Sequence, residues 1–89
     1  MSNVSITLYN NDESRGLIAA ILKDNPASTT MRMPGVVKID CPNKITILRE
    51  TVENELGRPW DVQQLHMSLV SLSGMVDEDD DYFTIAWNH

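Results

Sequence analysis

Cysteine is almost missing from this chain. Cys41 stands alone, so no internal disulfide can form, and a reducing compartment is the natural setting. Histidine is nearly as scarce. His66 and His89 are the only two, and neither has a ligand partner at helical spacing, so the Glu-x-x-His pairs of a carboxylate-bridged diiron site cannot be assembled. The four glycines are dispersed, which rules out a phosphate-cradling loop. No apolar run approaches the roughly 20 residues of a membrane span. The opening Met1-Ser2-Asn3-Val4-Ser5 has neither the basic region nor the apolar core of an export signal, so a cytoplasmic protein is expected. Positive charge is also short, with seven Lys and Arg against thirteen Asp and Glu, for a net charge of −6. Phosphate backbones repel such a surface, so nucleic acid is not an expected partner.

The 89 residues allow one core, and a single domain spanning 1–89 is expected. Hydrophobic residues at 42% and charged residues at 22% fit an ordinary globular composition. Residues 4–8 alternate apolar and polar side chains and read as a strand. Asn10-Asn11-Asp12 breaks it and can cap a helix, on which Leu17, Ile18, Ile21 and Leu22 share a face. Asn25-Pro26 stops that helix, because a residue before proline avoids the helical region. Residues 29–33 read as a strand, Pro34-Gly35 as a tight turn, and Val37, Ile39 and Cys41 as the apolar side of a further strand. The second half repeats the order. Residues 44–48 form a strand, 49–56 a helix ended by Gly57, 60–65 an ambiguous turn, and 67–72 and 82–87 strands around an acidic loop. The expected fold class is α+β, with two βαββ-like halves, mainly antiparallel sheet and two to three helices.

Charge is distributed unevenly. Residues 1–45 carry five basic and four acidic side chains, whereas residues 46–89 carry two and nine. The five consecutive acids Asp77-Glu78-Asp79-Asp80-Asp81 dominate that imbalance and would steer a partner with a basic rim. Asp77, Asp79 and Asp81 fit the first odd positions of a calcium loop, but the required Gly and bidentate Glu are replaced by Tyr82 and Asn88. A solvated loop that keeps strands from aggregating is the plainer reading. Glu50 and Glu53 have Glu-x-x-Glu spacing with no histidine to complete a metal set. Cys41 reads as a small buried hydrophobe, and Ser71 and Ser73 lack the glycine-flanked elbow of a nucleophile. No catalytic, cofactor or metal residues are therefore assigned. Strand alternation puts Met31 and Met33 on one face, with core packing the default and a soft contact patch the alternative. Met75 follows Gly74 in a loop and reads as a contact. Trp60 and Trp87 read as core anchors, and His66 as a surface or edge residue.

Several blocks share an order and spacing with a known family. Asp24-Asn25-Pro26 closes the first helix. Arg49-Glu50-Thr51-Val52-Glu53 precedes Leu56-Gly57-Arg58 and Trp60-Asp61-Val62. Leu65 to Gly74 and Phe83 to Asn88 complete the set. On these blocks the chain resembles the regulatory (effector) proteins of bacterial multicomponent diiron monooxygenases, with the phenol hydroxylase branch most similar. Ser73 is a departure, since the family more often has Ala there, and it bears on fine specificity. The chain opens directly on its first strand, without the long tail of the methane monooxygenase relatives, which favours the phenol or toluene branch.

The resemblance implies a cofactorless, non-catalytic component. It would bind an oligomeric diiron hydroxylase near its active site and adjust oxygen activation, substrate access and coupling, in interplay with a flavin/iron-sulfur reductase. The docking face is expected at Ser71, Leu72, Ser73, Gly74 and Met75, flanked by Pro34 and Gly35. The plain reading of Ser71 and Ser73 is as outward strand residues. A generic acidic protein-binding module and a calcium-responsive protein stay open as other classes.

Overall fold

The protein is described from a computed structural model covering residues 3–87. Asn88, the end of the last matched block, and His89 lie outside the described residues, as do Met1 and Ser2. Strand β1 (Asn3–Tyr9) leads into helix α1 (Asp12–Asp24), β2 (Thr29–Met33), β3 (Val36–Pro42) and β4 (Lys44–Leu48). Helix α2 (Arg49–Leu56), a 3₁₀ turn (Val62–Gln64) and the short α3 (Leu65–Ser68) follow, then β5 (Leu69–Ser73), β6 (Met75–Glu78) and β7 (Tyr82–Ala86).

Two antiparallel sheets result, one in the order β2-β3-β1-β5 and the other β4-β7-β6. β5 thus crosses back to the sheet of the first half, so the two halves interlock. Val4, Ile6 and Leu8 on β1 lie opposite Cys41, Ile39 and Val37 on β3, and all six are buried. Ile45, Ile47, Phe83 and Ile85 supply the same layer from the second sheet. Leu17, Ile18, Ala20 and Ile21 of α1, Val52 of α2, and Trp60, Val62 and Leu65 complete one apolar cluster.

The local signals explain the helices. Asn11 Oδ1 accepts from the Ser14 N–H at 2.9 Å and caps α1. At its other end Asn25 leaves the helical region and turns its buried amide onto β4. Nδ2 donates to the Ile21 carbonyl at 2.7 Å and to the Thr46 carbonyl at 2.8 Å, and Oδ1 accepts from the Thr46 N–H at 2.9 Å. One side chain therefore adds a second bond to the Ile21 carbonyl, which already accepts the Asn25 backbone N–H at 3.0 Å, and stands in for a neighbouring strand at the β4 edge. α2 ends at Gly57, whose N–H donates to the Glu53 carbonyl at 2.8 Å.

Five expectations need correction. The acidic run is not one loop. Asp77 and Glu78 pair with Thr84 and Phe83 within β6, and only residues 79–81 form the turn. Met75 is likewise in β6 rather than in a loop. Met31 and Met33 do share a face, but β2 is an edge strand, and the two are 56% and 36% exposed instead of packed in the core. Trp87 is 41% exposed and donates its indole N–H to the Asn3 carbonyl at 2.9 Å, whereas Trp60 is buried as expected. β5 begins at Leu69, because His66 and Met67 are taken up by α3.

Candidate functional site

The register of the first sheet builds the surface of interest. Opposite the buried row of β1, Ser5, Thr7 and Tyr9 lie on its outer side. They pair with Asp40, Lys38 and Val36 on β3, which pair in turn with Thr29, Met31 and Met33 on β2. On the other flank Ser5 pairs with Ser73 and Thr7 with Ser71. The outer face thus carries the hydroxyls of Ser5, Thr7, Ser71, Ser73 and Thr29, with Thr7 buried and Ser5 half-buried at its centre, the charged Lys38 and Asp40 among them, and Tyr9, Met31 and Met33 at its border. Ser71, Ser73, Tyr9 and both methionines are exposed. α1 packs chiefly on α2 and β4, which leaves this face uncovered by that helix.

The structure brings Ser71 and Ser73 onto one face and separates the other expected contacts. Leu72 pairs with Ile6 and is half-buried against the core. Gly74, at φ 138°, is the joint between the two sheets. A Cβ there would collide with Ile85 Cγ2 and meet Val4 Cγ1 at 3.1 Å, so glycine is required for packing as well as for its backbone. Met75 pairs with Ala86 and belongs to the second sheet, where it is 55% exposed.

Pro34-Gly35 closes the β2–β3 hairpin. Gly35 at φ 79° behind a proline suits a type II turn, and the Asn10 N–H holds its carbonyl at 3.0 Å. That turn lies at the Tyr9 end of β1, whereas Ser73 lies at Ser5. The two are roughly 13 Å apart along the strands and 10 Å across them. Residue reading missed Tyr9, Val36 and the exposure of Met31 and Met33 as parts of this face. Alternation assigned their common side; only strand pairing reveals that it is the uncovered one.

The Arg49 to Trp60 block is structural. Glu53 Oε2 accepts from the Trp60 N–H at 2.8 Å and from Arg49 Nε at 3.3 Å. The Trp60 N–H foremost, with Arg49 adding to it, holds the Glu53 carboxyl below the usual carboxylate range. The Arg49 N–H donates to the Asp81 carbonyl at 2.9 Å, which ties the acidic turn to the start of α2.

The acids of the calcium pattern point to different partners. Asp77 receives the Tyr82 hydroxyl at 3.4 Å, Asp79 the Asp80 N–H at 2.6 Å, and Asp81 lies 3.8 Å from Arg49. Asp77, helped by burial and Asp79, pushes the Tyr82 phenol above its ordinary range. His66 is at the surface, 3.0 Å from Glu78 and edge-on to Phe83. Among the described residues no group of three or more His, Cys, Asp or Glu side chains is placed to hold a metal. Among the described residues no helix is long and apolar enough to cross a membrane.

This two-sheet α+β fold is that of the monooxygenase regulatory proteins. The chain belongs to the MmoB/DmpM family, which residues 2–86 match. It is 40% identical over 88 residues to the phenol 2-monooxygenase stimulatory component DmpM of Pseudomonas sp. strain CF600, covering 99% of this chain and 98% of that protein. A chain from a phenol hydroxylase–regulatory protein complex superposes with a TM-score of 0.93 at 41% identity, covering 98% of this chain and all of that one. The soluble methane monooxygenase regulatory protein B shares the fold, with a TM-score of 0.76 at 24% identity over 97% of this chain and 65% of that one.

Proposed function

We propose that this protein is the non-catalytic regulatory component of a phenol hydroxylase system, and that it acts by binding the hydroxylase. The observation that carries this reading is the match over nearly the whole of both chains to a stimulatory component of phenol 2-monooxygenase and to a chain from a phenol hydroxylase–regulatory protein complex. The outer face of the first sheet is the docking surface, centred on Ser71 and Ser73 and reaching Pro34-Gly35 at its far corner. Small side chains let a partner's backbone approach closely, and their hydroxyls can pair with its polar groups. Leu72 and Gly74 hold this face in place from beneath, and Met75 extends it around the joint.

The partner is an oligomeric diiron hydroxylase that carries the chemistry. The regulator has no cofactor and alters oxygen activation, substrate access and coupling by favouring one hydroxylase conformation over another. It shifts that balance only by its difference in affinity for the two. A flavin/iron-sulfur reductase completes the system, and the cytoplasm is its setting.

The test is product formation by the purified hydroxylase and reductase as this chain is titrated in. Activity should climb to an optimum near one copy per active site, and Ser71→Arg should abolish the rise without unfolding the chain. A flat response to the wild-type chain would overturn the reading.

A further inference from the structure

The second sheet treats its two edges differently. Asp79 donates its N–H to the Tyr82 carbonyl at 2.9 Å, so these two form a hydrogen-bonded pair. Such pairs alternate along an antiparallel ladder. Asp77 and Met75 therefore also turn their backbone groups toward β7, and Val76 and Glu78 turn theirs outward. The same alternation turns Thr46 of β4 outward on the opposite edge, where the Asn25 amide satisfies both its N–H and its carbonyl. One edge is thus closed by a dedicated side chain. On the other, no hydrogen bond among the described residues reaches the outward backbone groups of Val76 and Glu78, and both residues are exposed.

The open edge lacks the usual protections of lysine, proline or a bulge. It carries Asp77 and Glu78 instead, and beside its end lies a cleft of about 260 Å³ lined by Asp61, Val62, Gln63, Glu78, Asp79 and Asp80. This charge repels a second copy of the same strand and favours a cationic one.

We infer that β6 is a recognition edge that takes up an extended, lysine- or arginine-bearing segment of the hydroxylase as an added strand. The segment pairs with the backbone of Val76 and Glu78 and sets a basic side chain into the acidic cleft. β6 starts immediately after Gly74, so the added strand is continuous with the docking face. The inference rests on the docking reading above.

The experiment compares binding of Val76→Pro, Val76→Ala and Ser71→Arg to the purified hydroxylase, with amide exchange followed in the wild-type complex. Val76→Pro removes an outward N–H without breaking the bonds to β7. It should weaken binding about tenfold, while Val76→Ala, which keeps the N–H, stays within about threefold of wild type. The Val76 and Glu78 amides should become protected on complex formation. If Val76→Pro binds like wild type, or if both amides exchange equally fast free and bound, the added strand is wrong. A loss of binding in Ser71→Arg would then leave the docking face standing. If Val76→Pro does not fold, amide protection in the wild-type complex decides alone. A wild-type chain that does not bind the hydroxylase overturns both.

Discussion

Replacing Asn25 with alanine should be among the most damaging single changes in this protein, although the residue sits at a helix end and carries no charge. Its amide makes three hydrogen bonds, to the Ile21 carbonyl and to both backbone groups of Thr46. At about 0.5–1.5 kcal/mol each, their loss amounts to about 2–4 kcal/mol. A domain of this size has only about 5–10 kcal/mol in total. The melting temperature should drop by roughly 10–25 °C. Urea unfolding followed by circular dichroism gives the number directly.

Asn25→Asp sharpens the test. Its carboxylate can still accept from the Thr46 N–H, but its second oxygen then faces two carbonyl oxygens, and that of Thr46 is left without a donor. Protonation restores that donor, so the folded state holds the proton more tightly than the unfolded chain. A group whose folded pKa is raised contributes stability at low pH and loses it as pH rises. The deficit of Asn25→Asp relative to wild type should therefore widen from pH 3 to pH 7. A loss under 1 kcal/mol for Asn25→Ala, or a deficit of Asn25→Asp that does not change with pH, would refute the bridge.

Gly74→Ala should destabilise by about 2–4 kcal/mol in thermal unfolding, because its Cβ collides with Ile85 at a backbone angle that favours glycine; a docking test made at Gly74 would report folding instead. Glu53→Gln should flatten the acid limb of the stability curve. The folded Glu53 carboxyl titrates below its ordinary value of 4.5, so its contribution is full above that value and fades as pH falls through the lower folded one. Cys41 is buried, and burial pushes its thiol up, so a disulfide reagent should leave the native protein unlabelled and label one thiol after denaturation. Association with the hydroxylase should slow as ionic strength rises, while dissociation changes little; an association rate indifferent to salt would remove the acidic run from the encounter.

Periodicity alone located nearly every strand and both main helices, because alternation and capping are local. Asn11, Asn25-Pro26 and Gly57 act within a few residues of where they stand in the chain. The misreadings all concern pairing. Met31 and Met33 were legible as neighbours on one face, but β2 lies at a sheet edge, and no local pattern says so. The acids 77–81 look like one loop until Asp77 and Glu78 are set against Thr84 and Phe83. Trp87 carries the largest apolar side chain near the C-terminus, yet it lies past the last ladder pair, where it covers the start of β1 from outside. Asn25 was legible as a helix stop, but its bond to β4 spans 21 residues and needs the fold. The hydroxyl face was half visible, because Ser71 and Ser73 alternate with apolar neighbours. Ser5 and Thr7 join them only through the register of β1.

That register also bears on which partner yields when the two meet. Directly beneath the hydroxyl face, Val4, Ile6, Leu8, Val37 and Ile39 are fully buried. Close-packed interiors resist small shifts, so a movement of the face would have to displace this layer. β1 is held on both sides, by β3 and by β5, and the joint at Gly74 admits no side chain. As the proposed docking surface, a rigid face would bind whichever hydroxylase conformation already matches it, leaving the adjustment to the larger protein. Moving that partner from one part in a hundred to ninety-nine takes about 5.5 kcal/mol of differential affinity. A single strand of hydroxyls does not supply so much. A face four strands wide is better matched to it, with a free strand edge beside it.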